Sequence, residues 1–190
     1  MPLYGEEKEN NKSLLTWKNI ELKPGIKQSL LEQTYSFGEV TTLEKQNQQK
    51  LNLTVAGLHP KKCSIALSKI SQYESYSNFI SFVKKSQYFE KSKIIKVEIN
   101  HILMPFPMYL LFKIDRVDKP GNYKFTFHQG FLKGLKGVIR VGEHKSRCLF
   151  YFNAKWKGKK SKIPDTVFSF FLDVLGQRLL DNLFRVSRTL

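Results

Sequence analysis

The residues that could do chemistry are few, and their spacing fits neither a metal site nor a catalytic pair. The chain has 190 residues with four histidines and two cysteines. None of them is arranged at the short spacings that zinc sites use. They are His59, His101, His128, His144, Cys63 and Cys148. We therefore expect no metal ion and no cofactor.

Acidic residues also lack a catalytic arrangement. General acid–base catalysis by carboxyl groups needs two of them held near one reacting bond. The acidic residues in the central part of the chain fall mostly at strand ends or on polar faces; they are Glu90, Glu98, Asp115, Asp118 and Glu143. The glycines of residues 130–137 lie between two strand-like segments instead of opening a helix, so they do not indicate a nucleotide-binding loop.

His128 is the strongest polar candidate. It follows Phe127 in an aromatic strand and could act as a general base or donate to a ligand carbonyl. Strand alternation places His128 on the other face of the strand from Phe125 and Phe127, which favours the alternative of an exposed histidine. Tyr109, Tyr151 and Asn153 could hydrogen-bond a ligand head group, although partly exposed polar strand residues are common.

The formal charge of +16 at pH 7 raises the question of a nucleic-acid partner. Only six of the 32 basic residues are arginine, and phosphate recognition favours arginine for its bidentate geometry. We therefore do not expect nucleic-acid binding. The two cysteines lie in apolar patterns, which predicts buried free thiols and leaves the redox compartment open.

A dense basic segment precedes the end of the chain. It holds Lys155, Trp156, Lys157, Lys159, Lys160 and Lys162. A basic loop with a tryptophan suits peripheral contact with an anionic membrane, where lysines meet the head groups and the indole lies at the interface. The alternative is an ordinary charged hairpin or connecting loop.

Residues 164–190 read as one long amphipathic helix. Apolar residues recur there at steps of three and four, the period of one helical face. They are Phe168, Leu172, Leu175, Leu179, Leu183 and Val186. Arg178 lies beside this stripe and either pairs with Asp115 or a ligand anion, or extends to solvent.

The chain before this helix predicts a curved antiparallel sheet. A strand at residues 51–55 is followed by two short helices, and about six alternating strands extend to residue 156. Residues 1–45 are predicted to be an extension with one short helix after Pro24, and residues 46–190 to be the main domain. The fold class is therefore α+β.

Neither a signal peptide nor a membrane-spanning helix is expected. The first residues lack an apolar segment, and no window approaches about eighteen consecutive apolar residues. The location is left open between the cytoplasm and, if a leader has been removed, the bacterial cell envelope.

Several local patterns resemble the START-like superfamily, also called SRPBCC or Bet v 1-like, in its polyketide cyclase/dehydrase and coenzyme Q-binding branch. Residues 68–80 resemble its aromatic turn after the first helix, and residues 130–137 resemble its glycine-rich strand entry. Ile163 and Pro164 opening the last helix are a further likeness. Residues 138–141 depart from the pattern, because many relatives have a tryptophan there.

The resemblance implies a helix-grip fold, in which a curved sheet closes on the C-terminal helix around a hydrophobic small molecule. We expect binding or transport of a lipid, quinone or polycyclic compound without catalysis. The alternatives are an aromatase/cyclase-like enzyme using His128 or Tyr151, a basic protein that docks on an anionic membrane or nucleic acid, and a solid core without a cavity. The predicted ligand-binding residues are Phe125, Phe127, Phe150, Phe152, Tyr109, Tyr151, Phe168, Phe171, Leu175 and Arg178.

Overall fold

Four α-helices, two short 3₁₀-helices (Glu44–Gln46 and Tyr73–Ser75) and eight strands make up the computed structural model, which describes residues 14–100 and 107–188. The helices are α1 (Pro24–Ser29), α2 (Cys63–Ile70), α3 (Tyr76–Phe79) and α4 (Asp165–Arg188). The strands are β1 (Tyr35–Leu43), β2 (Gln48–His59), β3 (Val83–Phe89), β4 (Ile94–Ile99), β5 (Met108–Lys113), β6 (Gly121–Gln129), β7 (Lys136–His144) and β8 (Arg147–Lys159).

All eight strands form one curved antiparallel sheet in the order β1-β2-β8-β7-β6-β5-β4-β3. The side of the sheet that faces α2 and α4 is called the inner face below, and the opposite side is the outer face. The main core lies on the inner face, and a smaller one lies on the outer face. The predicted α+β helix-grip architecture is confirmed.

Strand β1 is the element that the sequence did not predict. It pairs with β2 along its whole length, from Tyr35 opposite Ala56 to Leu43 opposite Gln48. Its inward positions are mostly small or polar, so the alternation of apolar and polar residues that marks a half-buried strand is weak. Residues 35–43, which fall within the predicted extension, thus form one edge of the sheet.

Helix α4 is fastened to this edge by a row of polar side chains spaced four residues apart, the spacing of one helical face. Each accepts a hydrogen bond from a backbone N–H of β1: Asp165 from Thr42 at 2.7 Å, Ser169 from Val40 at 2.9 Å, and Asp173 from Gly38. Edge strands expose unpaired backbone groups, and this row satisfies three of them. The helix therefore covers the edge at which further strand pairing could begin.

Asp165 has a second role at the connection between β8 and α4. Its carboxylate also accepts hydrogen bonds from the Thr42 hydroxyl at 2.7 Å and from Gln49 Nε2 at 2.8 Å. Burial acts to raise the pKa of Asp165, but the hydrogen bonds from Thr42 and Gln49 outweigh it and hold the pKa below its ordinary value. The charged form is therefore the one that this environment stabilises.

Replacing Asp165 by alanine is expected to lower the free energy of unfolding near neutral pH by about 2 kcal/mol, since hydrogen bonds to a charged group are lost. The lowered pKa gives stability that is present above the unfolded-state pKa of about 4 and lost as the pH falls through the folded-state value. Urea unfolding of both proteins at several pH values measures this difference. The control is Glu39→Ala, a substitution at an exposed position of β1. If the stability difference between the unaltered protein and Asp165→Ala stays constant as the pH falls, the lowered pKa assigned to Asp165 is contradicted.

The outer face has its own small core, built by the residues before β1. Leu15, Ile20 and Leu30 pack there against side chains of β2 and β8, among them Leu58 and Leu149. Trp17 stacks on His144 with ring centroids 4.5 Å apart. Because these residues cover one end of the outer face, β8 is apolar on both of its sides at this end.

The cysteines are joined, so the prediction of two free thiols is wrong. Cys63 and Cys148 form a disulfide bond between residues 85 positions apart, and both are fully buried. Cys63 begins α2, and Cys148 lies opposite His59 at the end of β2. The short link from β2 to α2 therefore brings the two cysteines together, a long-range contact that local sequence pattern does not show.

The buried stripe of α4 differs from the predicted one toward its C-terminal end. Phe168 and Leu172 are buried as expected, but Leu179 is 38% exposed. Leu180 and Phe184 are buried instead. The cause is Gly176, whose missing side chain lets the helix approach Ser36 and Val55 closely, so that position 176 faces the sheet.

Some expectations fall outside the described residues. They concern residues 1–12, His101, the side chain of Val186 and the end of the last helix at Leu190. Among the helices of residues 14–100 and 107–188, none is both long enough and apolar enough to cross a membrane.

Candidate functional site

Aromatic side chains cover the inner face where β5, β6, β7 and β8 lie side by side. The inner aromatic surface is defined here as Phe112, Phe125, Phe127, Ile139 and Phe152. Phe112 lies opposite Phe127, and Ile139 lies opposite Phe152, in the strand register. The ring pairs Phe112–Phe127 and Phe125–Phe152 are stacked, with centroids 4.8 Å and 5.0 Å apart.

Gly137 makes this stacking possible. It stands between Phe125 on β6 and Ala154 on β8 in the register. A side chain at Gly137 would collide with the ring of Phe125, which instead lies across the bare backbone and reaches Phe152. Close approach of a ring to the backbone is one reason for a glycine inside a strand.

The inner aromatic surface is only partly covered. Phe112, Phe127, Ile139 and Phe152 remain half-buried although they face the helix side of the sheet, and Phe125 alone of the five is buried. Helix α4 packs chiefly against β1, β2 and α2, at the other end of the strand order. An accessible apolar surface therefore lies beside the helix, on strands that the helix does not seal.

Three predicted ligand-binding residues, Phe125, Phe127 and Phe152, lie together on this surface. Phe150 is buried against Phe184 of α4, with ring centroids 5.4 Å apart. Phe168 of α4 is buried near Phe131 of the β6–β7 connection, also at 5.4 Å. Phe131 was not predicted, and it belongs to the same apolar interior.

Other predicted residues lie elsewhere. Tyr109 is 60% exposed, and Tyr151 is buried in the small core on the outer face. Arg178 is exposed on α4, in agreement with the alternative that it extends to solvent, and Phe171 and Leu175 are half-buried on the same helix. The structure therefore does not bring Tyr109, Tyr151 or Arg178 to the inner aromatic surface.

Two tyrosine hydroxyls in and around the main core form hydrogen bonds with backbone carbonyl groups. Tyr73 donates to the carbonyl of Asp115 at 3.2 Å, and Tyr123 donates to the carbonyl of Lys119 at 2.7 Å. Burial raises the pKa of both hydroxyls above the ordinary value. They therefore act as structural hydrogen-bond donors, and neither is suited to give up its proton as an acid catalyst.

His128 is exposed on the outer face of β6, as strand alternation favoured. A different histidine, His59, is fully buried, and the spacing of the four histidines did not single it out. Its Nε2 lies 3.0 Å from Ser187 Oγ, an arrangement that resembles a base beside a nucleophile.

The hydrogen bonds around His59 exclude that chemical role. Its Nδ1 accepts from the backbone N–H of Lys61 at 3.1 Å, which places the proton of the neutral ring on Nε2. The Ser187 hydroxyl in turn donates to the carbonyl of Leu183 at 2.7 Å. The ring therefore donates to the serine instead of withdrawing its proton, and the pair joins the end of α4 to β2. No group of three metal-ligating side chains occurs among the described residues.

A groove of about 380 Å³ lies at a separate position, between the start of β1, the start of β8 and α4. Polar groups line much of it, and some of them bond to one another or to the backbone. Thr34 donates to Asp181 at 2.6 Å, and Arg147 donates to the carbonyl of Leu58 at 2.9 Å. This groove differs in chemistry from the inner aromatic surface.

The basic segment at residues 155–162 lies largely in strand β8 and not in a loop. Trp156 points to the inner face, is 7% exposed and donates from Nε1 to the carbonyl of Lys133 at 2.9 Å. It therefore cannot lie in a membrane interface while the sheet is intact. Lys155, Lys157 and Lys159 alternate with it on the outer face.

The remaining basic residues of this segment follow the strand. Lys160 forms an ion pair with Glu44 at 2.8 Å, and Lys162 is exposed.

Comparison by sequence finds no matching family model and no matching curated protein. Comparison by structure finds similar folds. Ara h 8.0201 has a TM-score of 0.57 and 13% identity over 74% of this chain and 99% of its own. A START superfamily protein from Mycobacterium smegmatis has a TM-score of 0.59 and 8% identity, covering 73% and 97%.

The chain has a START-like fold. An aromatase/cyclase from a Streptomyces species shares it, with a TM-score of 0.59 and 7% identity over 73% of this chain and 94% of its own. The predicted resemblance is confirmed for the fold. At 7–13% identity these similarities carry no activity over to this protein, because one fold supports many functions.

Proposed function

We propose that this START-like protein binds a hydrophobic small molecule on the inner aromatic surface, beside α4. The observation that carries the proposal is the half-burial of Phe112, Phe127, Ile139 and Phe152 on the helix side of the sheet. Ligand sites are usually concave surfaces lined mainly by apolar and aromatic side chains. A guest that covered these groups would remove apolar area from water, which is the main favourable term in such binding.

The chemistry of the surface favours an uncharged ligand with a flat or chain-like apolar body. Lysines of β5, β6, β7 and β8 alternate to the outer face, away from the rings. The stacked pairs Phe112–Phe127 and Phe125–Phe152 present ring faces and edges against which a planar or aliphatic group can pack. Lipids, quinones and polycyclic compounds have this character.

We propose that the protein binds its ligand without catalysing a reaction. The hydroxyls of Tyr73 and Tyr123 are engaged by backbone carbonyls, and His128 lies on the other side of the sheet. The catalytic description of the aromatase/cyclase neighbour belongs to that protein. The proposal for this chain rests on its apolar surface.

Nile red, a neutral fluorescent probe, tests the proposal without interference from the high positive charge of the protein. We expect it to brighten on binding, and we expect a Phe127→Ala/Phe152→Ala variant to bind it at least about tenfold more weakly, since two ring contacts are lost. Fluorescence titration gives both affinities, and circular dichroism checks that the variant is folded.

The matched control is Phe37→Ala/Tyr109→Ala, which removes two rings that are 50% and 60% exposed outside this surface. This control should bind the probe as the unaltered protein does. Equal affinity of all three proteins, or no binding by any of them, would refute the proposed site. Native mass spectrometry and lipid extraction of the purified protein then identify a co-purified ligand.

A further inference from the structure

A row of lysines crosses the outer face of the sheet. The outer lysine row is defined as Lys50, Lys113, Lys136, Lys155, Lys157 and Lys159, and all six are exposed. The strand register connects them: Lys50 lies opposite Lys157, and Lys155 lies opposite Lys136. Thr126 lies opposite both Lys136 and Lys113. The row spans five neighbouring strands, which corresponds to about 20 Å.

These lysines are placed where they repel one another. Like charges directly opposite on a sheet are destabilising, and the row contains two such pairs, Lys50–Lys157 and Lys155–Lys136. Within residues 14–100 and 107–188, none of the six forms an ion pair. Acidic side chains of this face include Glu39 at the β1 edge and Glu98, which pairs with Lys85 near the other edge. The repulsion would be relieved by an external anionic partner.

We infer that the outer lysine row binds the surface of an anionic lipid bilayer. Lysine is a compact, hydrated charge on a flexible stem, which suits attraction to a diffuse layer of head groups. The outer face of a curved sheet is convex, so it meets a broad surface better than it encloses a rod. The inference is independent of the inner aromatic surface, which lies on the other side of the sheet.

The composition of this face argues against nucleic acid as the partner. Two arginines of the outer face already have protein partners: Arg140 lies 3.8 Å from Glu21, and Arg147 donates to the carbonyl of Leu58. Trp156 points inward and gives no ring among the lysines of β8 on which a base could stack. The exposed rings Phe37 and Tyr109 of this face lie on β1 and β5. Side chains beside the row, such as Asn52 and Asn153, are small and polar.

Vesicle sedimentation tests the inference with the whole protein. We expect binding to vesicles of phosphatidylcholine with phosphatidylserine, weak binding to phosphatidylcholine alone, and loss of binding at high salt. A Lys136→Gln/Lys155→Gln/Lys157→Gln variant should bind the anionic vesicles at least about tenfold more weakly.

The control variant Lys23→Gln/Lys62→Gln/Lys91→Gln removes the same number of exposed charges outside the row and should bind as the unaltered protein does. If both variants weaken equally, net charge alone drives binding and the inference fails. It also fails if duplex DNA, but not vesicles, shows the same dependence on the row. Nile red binding should be the same in both variants, so this test and that of the inner aromatic surface fail separately.

Discussion

Replacing Cys63 and Cys148 together by alanine is expected to lower the free energy of unfolding by roughly 4–5 kcal/mol. The disulfide bond joins residues 85 positions apart. In the chain-entropy description, a cross-link over that distance removes much of the freedom of the unfolded chain, and a value of roughly 4–5 kcal/mol follows for a loop of this length. Both cysteines are fully buried, so the substitution also removes core contacts.

Denaturant unfolding with and without a phosphine reductant measures this effect in two ways. The unaltered protein should lose stability when the reductant is present, and the double variant should not respond to it. Ser64→Ala, an exposed change next to Cys63 in α2, serves as the control and should leave the midpoint almost unchanged. Equal midpoints for the oxidised protein and the double variant would show that the bond contributes nothing.

The same bond affects where the protein can be produced in stable form. Disulfide bonds persist in oxidising compartments and are uncommon in the reducing cytosol. Protein from a reducing host should therefore match the reduced, weaker form until it is oxidised.

The order of elements could be predicted because each long element carries a clear local period. The alternation of β4 and β6 and the three-to-four spacing of α4 are visible in the sequence, and the structure has these elements. Strand β1 lacked that signal, since Ser36, Gly38 and Thr42 take inward positions where apolar residues are usual. Their role depends on α4, which lies more than a hundred residues away in the chain.

The site was predictable in part for a similar reason. The aromatic alternation of Phe125, Phe127 and Phe152 is local, and these residues share one surface in the structure. The inward side of strand β8 was harder to predict. Leu149 and Tyr151 make the outer side of this strand apolar as well, and residues before β1 cover them. How far these rings are buried depends on the position of α4. No residue spacing in the sequence determines that position.

Gly38→Ala is expected to lower the free energy of unfolding by about 3 kcal/mol, because the new side chain would overfill a closely packed contact. A Cβ atom at Gly38 would collide with the Cβ of Leu172, and neither atom can turn away since both are fixed to the main chain. The same residue donates its backbone N–H to Asp173. The substitution must therefore move α4 away from β1 and strain the hydrogen bonds that hold the helix to the sheet edge.

Gly25→Ala is the matched control, because no atom lies within 4 Å of the position its Cβ would take. Urea unfolding should show a large loss for Gly38→Ala and no loss for Gly25→Ala. Movement of α4 should also change Nile red affinity in Gly38→Ala, since the helix borders the inner aromatic surface. If both alanine variants unfold at the same midpoint, then α4 can shift along β1 without cost, and the close contact at Gly38 does not fix the position of the helix.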